Sequence, residues 1–206
     1  MYAIHQKQIE LWANGSPENT HEVIKFVLAT ANRYFVAVPK VLAKYQSDPI
    51  HSGFSGMQLD SLGKLWVGRK MVYKTIQAKK SNPVELMRYV VGIQGLGIPK
   101  AGFVCQLLTG QVGCMDVWNM RDSSIMALLG VDSIKKSAFT ISKETKEDTI
   151  VNKLTGYVGM CQKLGSEFLW NNWCTTLAAQ YGKPTGFYPW KTAYEVSQFH
   201  VDACIR

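Results

Sequence analysis

IQGLGIPKAGFVCQLLTGQVGCMD, residues 93–116, is the stretch whose reading decides the fold. Gly95 and Gly97 flank Leu96 in a tight glycine turn. Glycine has no Cβ and tolerates positive φ, so such a turn brings backbone N–H groups close to an outside ligand. Pro99 then opens a helix, because its missing N–H belongs to a first-turn position that would be unpaired anyway. The free N–H groups and the positive end of the dipole face any anion held at the turn. A preceding helix over 84–92 completes a helix, a hairpin and a helix. That geometry suits a phosphate of DNA. Asp116 follows after the next turn.

Outward from this stretch the pattern is helical almost throughout, and the expected fold class is all-α. An opening helix is expected over 2–13. The turn NGSPENT ends it, with Asn19 or Thr20 as cap of a helix through HEVIKFVLATANRYFVAV that Pro39 breaks or kinks. Residues 47–62 are rich in Gly, Ser and Pro and read as a loop. A basic helix follows over 62–79, then Asn82 and Pro83 start the first hairpin helix. After Asp116 a short helix is expected over 124–129, and VDSIKKSAFTIS reads as loop or short strand. Ser142 to Thr145 lead into a helix through DTIVNKLTGYVGMCQKL. SEFLWNNWCTTLAAQYG reads as an amphipathic helix ending at Gly182, KPTGFYPW as a loop, and KTAYEVSQFHVDACI as the last helix.

With 206 residues the chain can bury one substantial core. Charged residues make up 18% and apolar residues 47%, which argues for a globular chain and against disorder. No apolar run is long enough to span a bilayer, and MYAIHQKQIELW has neither signal-peptide nor transit-peptide character. The expectation is an intracellular monomer of cytoplasm or nucleoid, host- or virus-encoded, with no membrane partner. The five cysteines are odd in number and form no C-x-x-C pair. The four histidines lack ligand spacing, so no metal and no cofactor are expected. Cys105, inside FVCQLL, reads as a buried free thiol.

Net charge is +8, and residues 1–100 hold 13 basic against 6 acidic side chains. The excess gathers on Lys64, Arg69, Lys70, Lys74, Lys79, Lys80, Arg88 and Lys100. Such a block is either a solvated helix face or, beside a phosphate-binding turn, an electrostatic footprint for nucleic acid.

GLGIPKAGF resembles the G-V-G-x-K-x-A hairpin of the helix-hairpin-helix DNA glycosylases, the superfamily of endonuclease III and 8-oxoguanine glycosylase. MDVWN is similar to the V-D-x-H segment that carries their catalytic aspartate, at about the family spacing. VIKFVLATANRYFVAVPKVLAKY and GKLWVGRKMVYKTI resemble the long helices before the hairpin, so the likeness runs over about 23–119. It implies a two-lobe helical fold. Residues 20–113 would form a helical barrel lobe, with the hairpin at about 84–111. Residues 1–19 and 114–206 would form a second lobe, with the active-site cleft between them. Two features depart from the family. Pro99 stands where bifunctional members carry a Schiff-base lysine, with Lys100 one place and about 100° of helix away. The four-cysteine iron–sulfur loop is missing.

The resemblance implies a base-excision enzyme acting on duplex DNA, with the damaged or unusual base flipped out of the stack. Asp116 would stabilise the oxocarbenium-like sugar cation or orient a water. Its alternative use is to cap the helix entered at Val117. Lys100 has three readings: a phosphate contact, an amine nucleophile if the register shifts by one, or a solvated first-turn lysine. Gly95, Leu96, Gly97, Lys100, Arg69, Lys70 and Lys74 are the expected DNA contacts, and Asn32 and Arg33 are candidates for filling the gap in the duplex. Tyr34, Phe35, Trp66, Tyr73 and Trp118 are aromatic pocket candidates. Trp118 stands where the family usually has His. Two other functions remain open: a non-catalytic DNA-binding module, and a viral-type enzyme processing modified bases on the same scaffold.

Overall fold

The structure, a computed structural model, describes residues 15–31, 33 and 37–180. The expected helices over 2–13 and 191–205, the 183–190 loop and the expected stop at Gly182 lie outside these residues. The described part is all-helical, with eight α-helices and no strand.

Helix α1 spans Pro17–Ala29. Its cap is Ser16, whose hydroxyl accepts from the Asn19 N–H at 3.2 Å, with Pro17 in the first turn. The expectation of Asn19 or Thr20 as cap was three or four residues late, because a Ser-Pro pair already satisfies the first free amides. From Val23 to Ala29 every residue is buried, the mark of a core helix rather than a surface one. α1 ends at Thr30, well short of the long helix read through 38. Pro39 breaks nothing: it lies in the first turn of a separate helix, α2, Val38–Ser47. Proline fits there because no intrahelical N–H is lost.

Helix α3, Gly56–Lys79, starts inside the expected 47–62 loop. A reciprocal capping box outweighs the local glycines. Ser55 Oγ accepts from the Gln58 N–H at 3.3 Å, and Gln58 Oε1 accepts from the Ser55 N–H at 3.0 Å. The Gln58 amide also donates to Leu28 O at 3.0 Å, tying the start of α3 to the end of α1. Helix α4, Pro83–Val91, is capped by Asn82, which accepts from the Glu85 N–H at 3.2 Å. Helix α5, Ile98–Thr109, opens at Gly97 with Pro99 in its first turn and stops at Gly110 in the left-handed region, φ 68°. α1 packs on α2, α3 and α5, and α4 packs on α3 and α5.

The chain after α5 returns to the same core. Helix α6, Ser123–Leu129, is capped by Asp122. The ambiguous VDSIKKSAFTIS stretch holds a 3₁₀ turn, Lys136–Phe139, that buries Phe139. Helix α7, Glu147–Leu164, packs on α4, α6 and helix α8, Ser166–Gln180. Arg88 of α4 and Glu147 of α7 pair at 2.7 Å. α5 is the hub, buried without a break from Ala101 to Leu108. The buried apolar side chains from α1 to α8 form one continuous cluster.

Candidate nucleic-acid interface and its carboxylate

The hairpin between α4 and α5 is anchored from inside and open outside. The Leu96 N–H donates to Ile93 O at 3.1 Å and closes the turn. Gly95 has φ +96°, and a Cβ there would sit 3.0 Å from Leu28 Cδ2. Glycine is therefore required at Gly95 by both backbone and space. Gly97 differs. Its φ is −82°, and a Cβ there would meet nothing within 4 Å. No internal constraint demands glycine at Gly97, so its open side is free for an outside group. Leu96, expected as a DNA contact, is a core residue at 4% exposure. Its side chain pins the hairpin, since a leucine on this turn gains more from burial than from a polar ligand.

The basic block divides once it is folded. Lys64 pairs with Asp60, Lys79 with Glu85, and Arg88 with Glu85 and Glu147. Arg69, expected on the DNA face, pairs with Glu18 at 2.8 Å and stacks 4.2 Å from the Trp66 ring centre. That partner lies 51 residues away in sequence, which is why no local reading places it. Lys70 and Lys74 are exposed and form no ion pair among the described residues. They do not adjoin the hairpin. The Gly95 position lies beside Gln58, 3.8 Å from its Cγ. Lys70 and Lys74 are about 18–24 Å farther along α3 at 1.5 Å rise per residue. The sequence runs straight from block to hairpin, but α4 folds back along α3 between them.

Two cations do sit near the hairpin, at the carbonyl end of α1. The Lys100 ammonium donates to Thr30 Oγ1 at 3.0 Å and lies 5.8 Å from the Phe103 ring centre. It is half-buried, so the solvated-lysine reading does not hold. Arg33 donates to Ala29 O at 3.1 Å and to Gly53 O, and burial lowers its pKa from the ordinary arginine value. Arg33 answers a free carbonyl of α1, and both cations lie at the negative dipole end of that helix. Asn32, Tyr34 and Phe35 lie outside the described residues. Tyr73 and Trp118 are half-buried, and Trp66 is 44% exposed.

Asp116 ends a segment without regular secondary structure whose backbone is answered almost entirely by side chains. Tyr157, fully buried on α7, donates to Gly113 O at 2.7 Å and accepts from the Met115 N–H at 2.8 Å. Gln106 of α5 accepts from the Cys114 N–H at 3.0 Å and donates to Ser166 O at 2.8 Å. Asn119 donates to Cys114 O at 2.6 Å and to Leu169 O at 3.2 Å. Close packing makes this possible. A Cβ on Gly102 would lie 2.5 Å from Tyr157 Oη, and one on Gly113 would lie 2.2 Å from Leu169 Cδ1. The segment is thereby clamped between α5, α7 and α8.

The carboxylate itself accepts three hydrogen bonds. Asp116 Oδ1 takes the Trp118 N–H at 3.0 Å and the Asn119 N–H at 3.3 Å, holding the bend that leads into the 3₁₀ turn Asn119–Arg121. Asp116 Oδ2 takes the Trp173 indole N–H at 3.0 Å. A carboxylate has about four acceptor directions, so one remains for an outside group. Sequence reasoning missed Trp173. Its only trace was a pair of tryptophans, Trp170 and Trp173, three apart on one helix face.

Phe103 and Trp173 have ring centres 5.2 Å apart, so ring contacts run from the Lys100 ammonium through Phe103 and Trp173 to Asp116. Among the described residues Lys100 and Asp116 form no ion pair. Both still act at Cys114: burial pushes that thiol up, Asp116 pushes it further, and Lys100 pulls it back. The two residues singled out for chemistry therefore share one neighbourhood. A surface hollow of about 640 Å³ is lined by Lys79, Glu85, Arg88, Tyr89, Gly92 and Ile93, the last of which closes the hairpin turn. Among the described residues no group of three or more metal-ligating side chains gathers, and no helix is long and apolar enough to cross a membrane. No protein-family model, no curated protein and no solved structure matches the chain.

Proposed function

We propose that this protein binds duplex DNA through its glycine hairpin and releases a damaged or unusual base by cleaving the N-glycosidic bond. The two-lobe arrangement, with residues 20–113 as barrel lobe and 1–19 plus 114–206 as second lobe, is part of the same proposal. The observation that carries it is the clamp around Asp116. Three helices spend buried polar side chains on holding one short segment, and the segment ends in a half-buried carboxylate with a free acceptor direction. A fixed anion in a site of low water content is what a cationic sugar requires as its base departs. Gly97, open to the outside at the start of α5, supports phosphate contact at the hairpin.

The Lys100 amine is engaged by Thr30 and sits against the Phe103 ring, which supports a monofunctional reaction with water as nucleophile. The test is a panel of duplexes carrying uracil, 5-hydroxymethyluracil, 8-oxoguanine, alkylated purines or mismatches, assayed for abasic sites. Strand scission is expected only after alkali or heat. Asp116→Asn is expected to keep DNA affinity and lose about 10²–10³ in rate, the usual size of one lost electrostatic stabiliser. Full activity in folded Asp116→Asn protein would remove the carboxylate from the reaction.

One observation favours a second reading, a DNA-binding module without chemistry. Three donors on Asp116 are what a structural cap also needs. That reading expects duplex binding with no base release anywhere on the panel.

A further inference from the structure

The three hydrogen bonds on Asp116 divide unevenly between its two oxygens. Oδ1 accepts two, from the Trp118 and Asn119 N–H groups, and Oδ2 accepts one, from the Trp173 indole. Each carboxylate oxygen offers about two acceptor directions. The open direction therefore belongs to Oδ2, the oxygen that the indole holds. The two donors on Oδ1 are backbone groups, and they hold the bend whether or not the second oxygen is fixed. The donor on Oδ2 is a side-chain N–H brought from α8, and what it adds is a fixed direction for that oxygen.

The indole is built into the core. Trp173 is 3% exposed, and its ring lies against Phe103 of α5 and Trp170 of α8, with centres 5.2 and 5.4 Å away. Phe103 is itself fully buried. One turn along α5, Gln106 donates to Ser166 O and fixes where α8 begins. A tryptophan side chain donates one N–H and accepts nothing, so its packing decides where that N–H points. We infer, on the base-excision reading given above, that Trp173 is the positioning residue of the reaction. It aims the open direction of Asp116 Oδ2 at the anomeric carbon of the flipped nucleotide. A carboxylate pinned at one oxygen still swings the other. Pinned at both, it offers its charge in one place, which is what a short-lived sugar cation needs. Buried behind the carboxylate, Trp173 acts only through it.

The first measurement needs no activity. In protein carrying isotope-labelled tryptophan, the Trp173 indole N–H is assigned in a proton–nitrogen NMR spectrum by its loss in Trp173→Phe or Trp173→His. Asp116→Asn should move that resonance more than any other indole signal. The two backbone donors keep the Asn oxygen on the Oδ1 side, which turns its amide N–H groups toward the indole N–H. An unmoved resonance would overturn the contact and the role with it.

The second measurement is single-turnover base release, with duplex affinity measured alongside, on a duplex of the panel that the wild type processes. Trp173→Phe keeps an aromatic ring and loses the N–H. It should bind duplex as wild type does and release base about 10–30-fold more slowly. Trp173→His restores a ring N–H in nearly the same place but loses the packing of the outer ring. It should be less stable than Trp173→Phe yet about three- to tenfold faster. A residue that only fills space would rank the two variants alike in stability and in rate. In an Asp116→Asn background Trp173→Phe should add no further loss, because the two residues act as one unit. Full rate in folded Trp173→Phe protein, the same ranking in stability and rate, or a further loss in the double variant would overturn the role and leave the reading of Asp116 standing. Absence of base release by the wild type on every duplex would overturn that reading and the role together.

Discussion

Removing one oxygen atom at Tyr157 tests whether the Asp116 segment is held as described. Tyr157→Phe keeps the ring, which packs edge-on against Phe139 with centres 5.0 Å apart. It deletes the donor to Gly113 O and the acceptor of the Met115 N–H, both buried. Each orphaned backbone group costs about 1–3 kcal/mol. The Cys161 thiol, 3.6 Å from Gly113 O, recovers a little of the first. The loss should therefore be about 2–4 kcal/mol, a large share of the usual 5–15 kcal/mol of a folded domain. Urea unfolding should show a lower midpoint with unchanged slope, and Tm should fall by about 4–16 °C for a chain of this size. Base release, or DNA affinity on the binding-module reading, should be measured at a temperature where the variant remains folded. A stability change below about 0.5 kcal/mol, the ordinary range for neutral surface substitutions, would refute the account of the clamp.

Other expectations follow from the same geometry. Gly95→Ala should cost about 1–3 kcal/mol, because φ +96° strains an L-residue and the new Cβ meets Leu28; Gly97→Leu should melt as wild type yet bind duplex DNA more weakly, in sequence-independent fashion, in an electrophoretic or anisotropy titration. Duplex affinity should fall linearly on a log–log plot against salt, and a flat plot would remove the backbone contacts. Cys105, Cys114 and Cys161 should resist thiol reagents at pH 8 until the protein unfolds, since burial pushes all three up, Cys161 to about 12; rapid labelling of any of them in the native state, mapped by peptide mass, would contradict their burial. Because these thiols keep their protons in the fold and lose them sooner when unfolded, stability should be full below about pH 8.5 and decline as pH rises toward 12, by denaturant midpoint.

The signals that could be read from sequence were local ones. Asn82-Pro83 and Gly97-x-Pro99 each carry a helix start within three residues, and both starts stand within a residue of expectation. Ser55 and Gln58 are an equally local start signal, but the glycines around them pointed to a loop and concealed it. Pro39 was ambiguous for a physical reason: proline ends one helix and begins another with the same φ. The candidate site was less legible. Asp116 could be singled out only through the resemblance of MDVWN to a family segment, whereas Trp173, 57 residues on, and Tyr157, 42 residues from Met115, meet the segment only through the fold. Charge misled for the same reason. Arg69 is neutralised by Glu18, and Lys100 turns back to Thr30 across 70 residues.

The clamp on residues 113–116 also sets an order of events during synthesis. The hairpin needs only α1 and the helices up to α5, all within the first 109 residues. The aspartate cannot be fixed until Tyr157, Leu169 and Trp173 have left the ribosome, roughly 3–13 s later at 5–20 residues per second. On the proposed function, a nascent chain would carry its hairpin before its carboxylate is set, so an encounter with duplex DNA in that interval would allow binding without base release.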